Sequence, residues 1–315
     1  MNLSFIDAYY NYLKYAEIKQ KFQSINVLKE NFKNHILPYW KNYNIYDITE
    51  LDYFNWQYLL NNKGLSFNYK KKLHYLMSSF FNYCIMFFNL KKNVAKEVGC
   101  FNKNVDFKVN HNFYTYKEFK KFIKNVDNEI YKQFFIFMFF VGTRPGEAMA
   151  LKFTDLNNNI IFINKTISEK IDKDTNQRYI GTPKTLSSYR KIHIDKKLYK
   201  DLIDLKKYYE KKYNNNNYDY FIFGGLKPLA PTSIRRYMKK ASIKAGVKCI
   251  KIHELRHSHA SLLFKNKIPI MEISKRLGHC NVSTTLNTYT HIDINEEKRV
   301  IKTLSNLRFF SLFHK

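Results

Sequence analysis

The segment H-E-L-R-H-S-H-A-S, from His253 to Ser261, decides how the rest of the chain is interpreted. His253 and His257 have the spacing of the H-E-x-x-H helix, in which two imidazoles bind zinc. Arg256 would place a cation on much the same helical face, and no third zinc ligand clearly follows. His253 and Arg256 would instead offer a hydrogen-bond donor and a bidentate cation to one phosphodiester. We therefore favour phosphate binding and keep a zinc hydrolase as an alternative.

A second informative segment is G-T-R-P-G-E, from Gly142 to Glu147. Gly142 ends an apolar helix predicted over residues 130–141, and Pro145 suits the first turn of the next helix. Arg144 is then expected at the N-cap, where arginine is a poor choice for stability, and such departures often mark functional sites. A guanidinium beside a helix N-terminus favours a phosphate, and Glu147 could orient it. A plain surface ion pair between Arg144 and Glu147 is the alternative.

Three further residues mean little by themselves. His279 follows Gly278, the predicted end of a helix, where a lone histidine is most often a structural hydrogen-bond donor. Lys184 lies in T-P-K-T, in a turn before a predicted strand. Tyr289 lies in T-Y-T-H and is one of 25 tyrosines, so alone it would be a core or surface tyrosine.

The charge of the chain favours a polyanionic partner. Its formal net charge is +28 and its pI is about 9.7, a balance that suits DNA or RNA and gains nothing for a protease. An A/T-rich genome, which enriches Lys, Asn, Ile, Phe and Tyr, is a competing explanation. Only nine of the 54 Lys and Arg residues are arginine, so a retained arginine is more informative than a lysine.

The cysteines, the N-terminus and the longest apolar run indicate the compartment of the protein. Four cysteines without a C-x-x-C pair indicate a reducing compartment and argue against a disulfide framework or a cysteine zinc site. The N-terminus has no signal-peptide core, and the apolar run at residues 134–141 is too short to cross a bilayer. We expect a cytoplasmic protein that does not bind membranes.

The pattern of apolar residues predicts a mainly α protein with a small antiparallel β-sheet, in two domains. Residues 1–108 carry helical stripes of aromatic side chains and are expected to form a small helical domain. Residues 109–315 are expected to form a mixed α/β domain whose first helix opens with a capping box at Thr115 and Glu118. Two or three strands are predicted there, at residues 160–163, 165–171 and 189–194.

Taken together and in order, these segments resemble the tyrosine recombinase, or phage integrase, family. The matching stretches are G142-T-R-P-G-E-A-M-A-L151, P183-K-T-L-S-S-Y-R190, H253-E-L-R-H-S-H-A-S261, and I273-S-K-R-L-G-H279 through T288-Y-T-H-I292. The resemblance covers residues 115–315 and, more loosely, the helical N-terminal domain. The residues of these motifs resemble those of integrases of phages and conjugative elements more than those of chromosome-dimer resolvases.

The resemblance implies a catalytic set made of Arg144, Lys184, His253, Arg256, His279 and Tyr289. In the family the tyrosine attacks a DNA phosphate, forms a 3′-phosphotyrosyl bond and releases a 5′-hydroxyl, without metal ion, cofactor or ATP. The two arginines and His279 would stabilise the phosphate charge, and His253 would bond the phosphate and assist proton movement. Lys184 would protonate the leaving oxygen.

The resemblance also implies the partners. Double-stranded DNA attachment or recombination sites would be gripped by a C-shaped clamp of a core-binding and a catalytic domain. A homo-tetramer would hold two sites, with residues 293–315 packed on a neighbouring protomer, and a DNA-bending or directionality factor could assist. Many integrases carry an extra N-terminal domain that binds arm-type sites, whereas here only about 20 residues are expected to precede the first recognisable helices of the core-binding domain. Either the enzyme works without arm sites, like the simpler resolvases, or the chain is shortened.

Besides the zinc hydrolase, three alternatives remain open from the sequence. A resolvase of replicon dimers uses the same chemistry, and a type IB topoisomerase uses a similar residue set. A DNA-binding relative without catalytic activity is the third.

Overall fold

The computed structural model describes residues 2–20, 22–102, 112–171, 178–183 and 185–282 of the 315-residue chain. The chain divides into two compact units, Met1–Lys108 and Val109–Lys315. Helices dominate both units, and every strand among the residues described lies in the second, so the predicted mainly α fold with small antiparallel sheets is confirmed. Within the described ranges, no helix is both long and apolar enough to cross a bilayer.

The first unit packs its helices around an aromatic interior. Phe5, Trp40, Trp56 and Phe80 are each at most 1% exposed, and the rings of Phe5 and Phe80 lie 4.7 Å apart between centroids. Large rings bury much apolar area per residue, which suits a small helical unit. The helices are α1 (Phe5–Lys19), α2 (Phe22–Asn31), a π-helical turn (Phe32–Ile36), α3 (Leu37–Trp40), α4 (Glu50–Asn62), α5 (Phe67–Phe88) and α6 (Val94–Val98).

The second unit surrounds a nearly all-apolar central helix. Its helices are α7 (Tyr116–Lys124), α8 (Glu129–Val141), α9 (Pro145–Ala150), α10 (Lys196–Tyr213), α11 (Pro231–Ala245), α12 (Glu254–Lys265) and α13 (Ile270–Leu277). Helix α8 is buried because it is apolar on nearly all sides, and α7, α9, α10 and α12 pack against it. Phe139 of α8 stacks on Phe119 of α7 with ring centroids 3.8 Å apart. The capping box that opens α7 is confirmed, with Thr115 N donating to Glu118 Oε2.

The strands form two antiparallel sheets at one side of the second unit. One sheet has the order β1 (Leu156–Asn157), β2 (Ile160–Ile163), β5 (Arg190–His193), and the other pairs β3 (Thr166–Ile171) with β4 (Arg178–Gly181). Two or three strands were predicted, whereas the described residues contain five. The prediction missed β1 because it is only two residues long. It missed β4 because this strand buries neither face fully and so shows no alternation.

Candidate active site

Arg144 lies at the junction between α8 and α9, as predicted. Gly142 ends α8 in the left-handed conformation with φ of 75°, and Arg144 is the extended N-cap of α9 with Pro145 following. Its backbone N–H donates to Glu147 Oε2 at 2.9 Å, and its Nη1 donates to Glu147 Oε1 at 2.9 Å. Nη1 also donates to Ser188 Oγ, and Nη2 donates to the carbonyl oxygen of Gly278. The side chain remains 36% exposed, so its guanidinium is held by protein acceptors and is still accessible to solvent.

Glu147 is the buried anion that joins two guanidiniums. It is 2% exposed and receives Arg144 on one side and Arg190 on the other, with Arg190 Nη2 2.8 Å from Glu147 Oε2. Burial alone would raise the pKa of this carboxyl. The hydrogen bond and charge of Arg190, together with Arg144, outweigh burial and hold the pKa below its usual range. Glu147 is therefore ionised at neutral pH and orients Arg144, as the sequence suggested.

Arg256 reaches the same junction from α12. It is 2% exposed, and its Nη1 donates to the carbonyl oxygen of Gly142 at 2.9 Å. That carbonyl stands two residues before Arg144, so the two arginines approach one turn from two helices. Leu255, its neighbour, is fully buried in the core and fixes the rotation of α12.

His279 follows Gly278, the left-handed C-cap of α13, as predicted. Gly278 is required here because a Cβ would lie 2.8 Å from the carbonyl oxygen of Ser187. Partial burial, then the charges of Arg256 and Arg144, lower the pKa of His279 to about 4. His279 is thus a neutral imidazole at pH 7, able to donate one hydrogen bond without adding charge.

His253 is the N-cap of α12 rather than a residue inside it, because the helix begins at Glu254. Its backbone is nevertheless helical (φ −64°, ψ −25°), so the spacing of three residues to Arg256 still brings the two side chains to one side. Removal from water and the charges of Arg256 and Arg144 lower the pKa of His253. Since the side chain itself is exposed, the two guanidiniums are the better-supported cause.

The interpretation of H-E-x-x-H as a zinc helix has no support in the geometry. The rings of His253 and His257 do lie close together, edge to face, with centroids 5.2 Å apart. In the part of the chain that the structure describes, however, no three His, Cys, Asp or Glu side chains are grouped as metal ligands. The charge of Arg256 also acts on this region, where it lowers the pKa of His253.

A second layer, absent from the sequence-based prediction, supports these residues. Arg190 bridges Glu147, Ser188 and Arg276, donating from Nε to the carbonyl oxygen of Arg276 at 2.9 Å. Arg276 in turn donates from Nε to His259 Nε2 at 3.2 Å. The scarcity of arginine was a sequence signal for these residues. Only nine arginines occur in the chain, and four of them lie here: Arg144, Arg190, Arg256 and Arg276.

His259 is a buried, neutral member of that layer. Burial, then the charges of Arg276 and Arg256, lower its pKa to about 3. Because Nε2 accepts from Arg276, the proton sits on Nδ1, which donates to the carbonyl oxygen of Phe139 at 2.9 Å. His259 therefore ties α12 to the last turn of α8.

The structure thus brings together four of the six predicted catalytic residues: Arg144, His253, Arg256 and His279. Arg144 donates to the carbonyl oxygen of Gly278, next to His279, and Arg256 donates to that of Gly142, two residues before Arg144. The charges of both arginines also lower the pKa of His253 and that of His279, in agreement with this geometry. Lys184 and Tyr289 lie outside the described residues. What the four can do together is bind a phosphate by fixed donors with a net positive charge.

Family models match both units of the chain. The model of the phage integrase family matches residues 112–296, and that of the phage integrase N-terminal SAM-like domain matches residues 4–60. Over 310 residues the chain is 28% identical to the ICEBs1 integrase of Bacillus subtilis (strain 168), covering 94% of this chain and 81% of that protein. It is also 27% identical to a XerC-like tyrosine recombinase of Caldanaerobacter subterraneus subsp. tengcongensis, covering 88% of this chain and 77% of that protein.

Solved structures share the fold at low sequence identity. The Tn1549 transposon integrase in complex with a circular intermediate DNA has a TM-score of 0.75 at 17% identity, covering 96% of this chain and 99% of that chain. A lambda integrase dimer bound to a COC′ core site has a TM-score of 0.67 at 16% identity, covering 91% and 77%. Because the family model spans more than half of its residues, this chain belongs to the phage integrase family of tyrosine recombinases.

Proposed function

We propose that this protein is the integrase of a mobile genetic element, a site-specific recombinase that cuts and rejoins double-stranded DNA through a tyrosine. The observation that carries the proposal is the convergence of Arg144, Arg256 and His279 on the turns at Gly142 and Gly278. The guanidinium of Arg144 is partly exposed and is held by the buried carboxylate of Glu147. It therefore offers a fixed positive charge to a phosphate, as phosphoryl transfer requires.

The charge of the site fits the transition state of that reaction. Phosphoryl transfer spreads negative charge over the non-bridging oxygens of the phosphate. Arg144 and Arg256 supply two positive charges whose positions are fixed by Glu147 and by the Gly142 carbonyl. His279 adds a neutral donor. Fixed donors of this kind lower the barrier because no reorganisation is needed as the charge develops.

In the covalent step one bond to phosphorus forms, one breaks, and two protons are transferred. The phenolic oxygen of Tyr289 attacks phosphorus, the bond from phosphorus to the 5′-oxygen breaks, and a 3′-phosphotyrosyl ester forms. His253, neutral at pH 7, accepts the phenolic proton, and Lys184 gives a proton to the leaving 5′-oxygen. Attack by a 5′-hydroxyl of another strand reverses these steps and releases the tyrosine, so that recombination needs no ATP.

The assembly follows from the relatives. We assign core DNA binding to residues 1–108 and catalysis to residues 109–315, and we propose a homo-tetramer that pairs two DNA sites in the cytoplasm. A lambda integrase tetramer bound to a Holliday junction shares the fold at a TM-score of 0.67 and 15% identity. A DNA-bending or directionality factor is a further proposed partner.

A second candidate is the resolution of replicon dimers by the same chemistry. Its support is the identity of 27% to a XerC-like recombinase over 302 residues. The integrase role is favoured because integrase relatives and their structures match at least as well.

Covalent capture tests the proposal. The protein is mixed, with EDTA present, with labelled nicked duplexes that tile the DNA flanking its own gene, and is then denatured in SDS. We expect a labelled protein–DNA band that Tyr289→Phe removes and Tyr10→Phe, a change at an exposed tyrosine of the first unit, retains. A band that survives Tyr289→Phe would place the nucleophile elsewhere. Tight binding without any band would favour a DNA-binding relative that does not cleave.

A further inference from the structure

Arg190, on β5, donates hydrogen bonds to protein groups from all three nitrogens of its guanidinium. It is 7% exposed. Nε donates to the carbonyl oxygen of Arg276 at 2.9 Å, and Nη1 donates to the carbonyl oxygen of Ser188 at 2.9 Å. Nη1 and Nη2 hold the two oxygens of Glu147, at 3.2 and 2.8 Å. This guanidinium is enclosed by protein acceptors, so it is built to hold protein groups rather than a DNA phosphate.

The first consequence concerns charge. Glu147 carries one negative charge and meets two guanidiniums, so one positive charge remains uncompensated. Arg190 is almost fully buried and binds both carboxylate oxygens, whereas Arg144 is 36% exposed and reaches only Oε1 with its side chain. Since a buried carboxylate is stabilised chiefly by its closest forked partner, Arg190 neutralises Glu147 and leaves the charge of Arg144 available.

The second consequence concerns geometry. Arg190 and Arg144 contact the same two structures: residue Ser188, and the end of α13 at Arg276 and Gly278. A Cβ at Gly278 would lie 3.1 Å from Arg190 Cδ, so the arginine packs directly against the turn that precedes His279. One side chain therefore braces both the guanidinium of Arg144 and the turn that bears His279.

We infer that Arg190 is a positioning residue for DNA cleavage, which keeps Arg144 charged and aimed and holds the Gly278 turn beside it. The inference rests on the proposed function. Arg190 does not touch the reacting atoms in this role, and its effect reaches the phosphate through Glu147 and the turn. A displacement of about 1 Å in such a site costs about 100-fold in rate.

Single-turnover formation of the covalent adduct, on saturating nicked DNA, tests the role. We expect Arg190→Met to slow adduct formation about 100-fold while the Kd for the DNA stays within about threefold. Arg190→Lys keeps the charge but cannot fork to both carboxylate oxygens and the two carbonyls, so it should recover only part of the rate. If Arg190→Met fails to fold, Arg190→Lys carries the test, with an expected loss of about tenfold at unchanged Kd.

A double variant separates positioning from mere stability. In Arg190→Met the buried Glu147 is left to neutralise Arg144. The pair Glu147→Gln/Arg190→Met removes that carboxylate, and we expect it to form adduct faster than Arg190→Met alone. A purely structural role makes the double variant at least as slow as the single one.

Lys165→Met is the matched control, because it breaks another ion pair to a buried carboxylate of the same unit, Lys165 Nζ to Asp155 Oδ2 at 2.7 Å. It should lower the Tm without slowing cleavage. A wild-type rate in Arg190→Met, or a double variant no faster than the single one, would overturn the positioning role. Absence of adduct with the unchanged protein would instead overturn the proposed function, and this role with it.

Discussion

Arg256 and Arg144 approach one turn under different conditions. Arg144 is partly exposed and braced by a carboxylate, whereas Arg256 is 2% exposed and bonded to the carbonyl oxygen of Gly142. A charge buried that deeply is retained only where it is compensated or used. Only nine of the 54 basic residues are arginine, and the position of Arg256 beside Arg144 fits the phosphate-binding role proposed for it.

Substitution of Arg256 should therefore separate cleavage from binding. In Arg256→Ala we expect adduct formation to fall by at least about 100-fold, because a fixed donor to the developing charge is lost. DNA affinity should fall only a few-fold, because it is spread over many lysine–phosphate contacts. Gel-shift titration and covalent capture on the same duplex measure the two quantities. Equal losses in both would contradict this role for Arg256.

His259 makes a prediction about stability and pH. Its pKa in the folded protein is about 3, below the unfolded value near 6.5, so folding excludes a proton between these limits. The stabilisation from the neutral imidazole is complete above about pH 6.5 and is lost as the pH falls toward 3, by up to about 1.4 kcal/mol per pH unit. Urea unfolding at pH 7, 6 and 5 measures the slope.

The comparison variant for that slope is His259→Gln, which keeps an acceptor near Arg276 and cannot titrate. We expect its unfolding free energy to fall less steeply with acidification than that of the unchanged protein, because about one proton fewer is taken up on unfolding. Identical slopes would show that His259 is not the group that titrates, and would leave His279, with its pKa of about 4, as the next candidate.

At the scale of elements, the site depends on a close approach between α8 and α12. Gly142 ends α8 with φ of 75°, and a Cβ there would lie 2.3 Å from Cδ2 of the His259 ring. His259 cannot move aside readily, because both its ring nitrogens are bonded. The glycine thus serves two demands at once, a left-handed turn and room for the imidazole.

Gly142→Ala should destabilise the protein by about 3 kcal/mol or more, since an overlap in a packed core adds to a backbone cost of about 1–2 kcal/mol. Gly246→Ala is a matched control. Gly246 also ends a helix, α11, with φ of 61°, but a Cβ there meets nothing within 4 Å. It should cost only the backbone part. Equal Tm losses in the two variants would remove the argument from close approach.

Local features of these elements could be predicted from sequence, because neighbouring residues determine them. Gly142 as the end of α8, Arg144 as the N-cap beside Glu147, and His279 after the Gly278 cap each depend on a few adjacent residues. Partners distant in sequence could not be predicted. The period of two in β5 puts Arg190 on the same face as the buried Ile192, but it does not identify Glu147, 43 residues away, as the partner of Arg190.

At the scale of the whole molecule, the excess of positive charge has two explanations. A net charge of +28 could serve to bind DNA phosphates, or it could follow from the codon usage of an A/T-rich genome. Several lysines are engaged within the protein: Lys165 pairs with Asp155, and Lys240 and Lys244 both pair with Asp127. One-to-one pairing with the 26 acidic residues would still leave 28 of the 54 basic residues without an acidic residue to pair with.

Salt dependence distinguishes the two explanations. Each lysine or arginine that neutralises a DNA phosphate releases counterions, so a protein with 6–10 such contacts should lose about 1,000-fold or more in affinity between 50 and 200 mM salt. Fluorescence anisotropy with a labelled duplex measures the Kd across that range. Arg256→Ala should change the slope by at most about one phosphate contact, since in its proposed role Arg256 binds a single phosphate. An affinity that changes less than about tenfold would mean that the lysines are largely a product of composition, and that binding depends on the few arginines of the site.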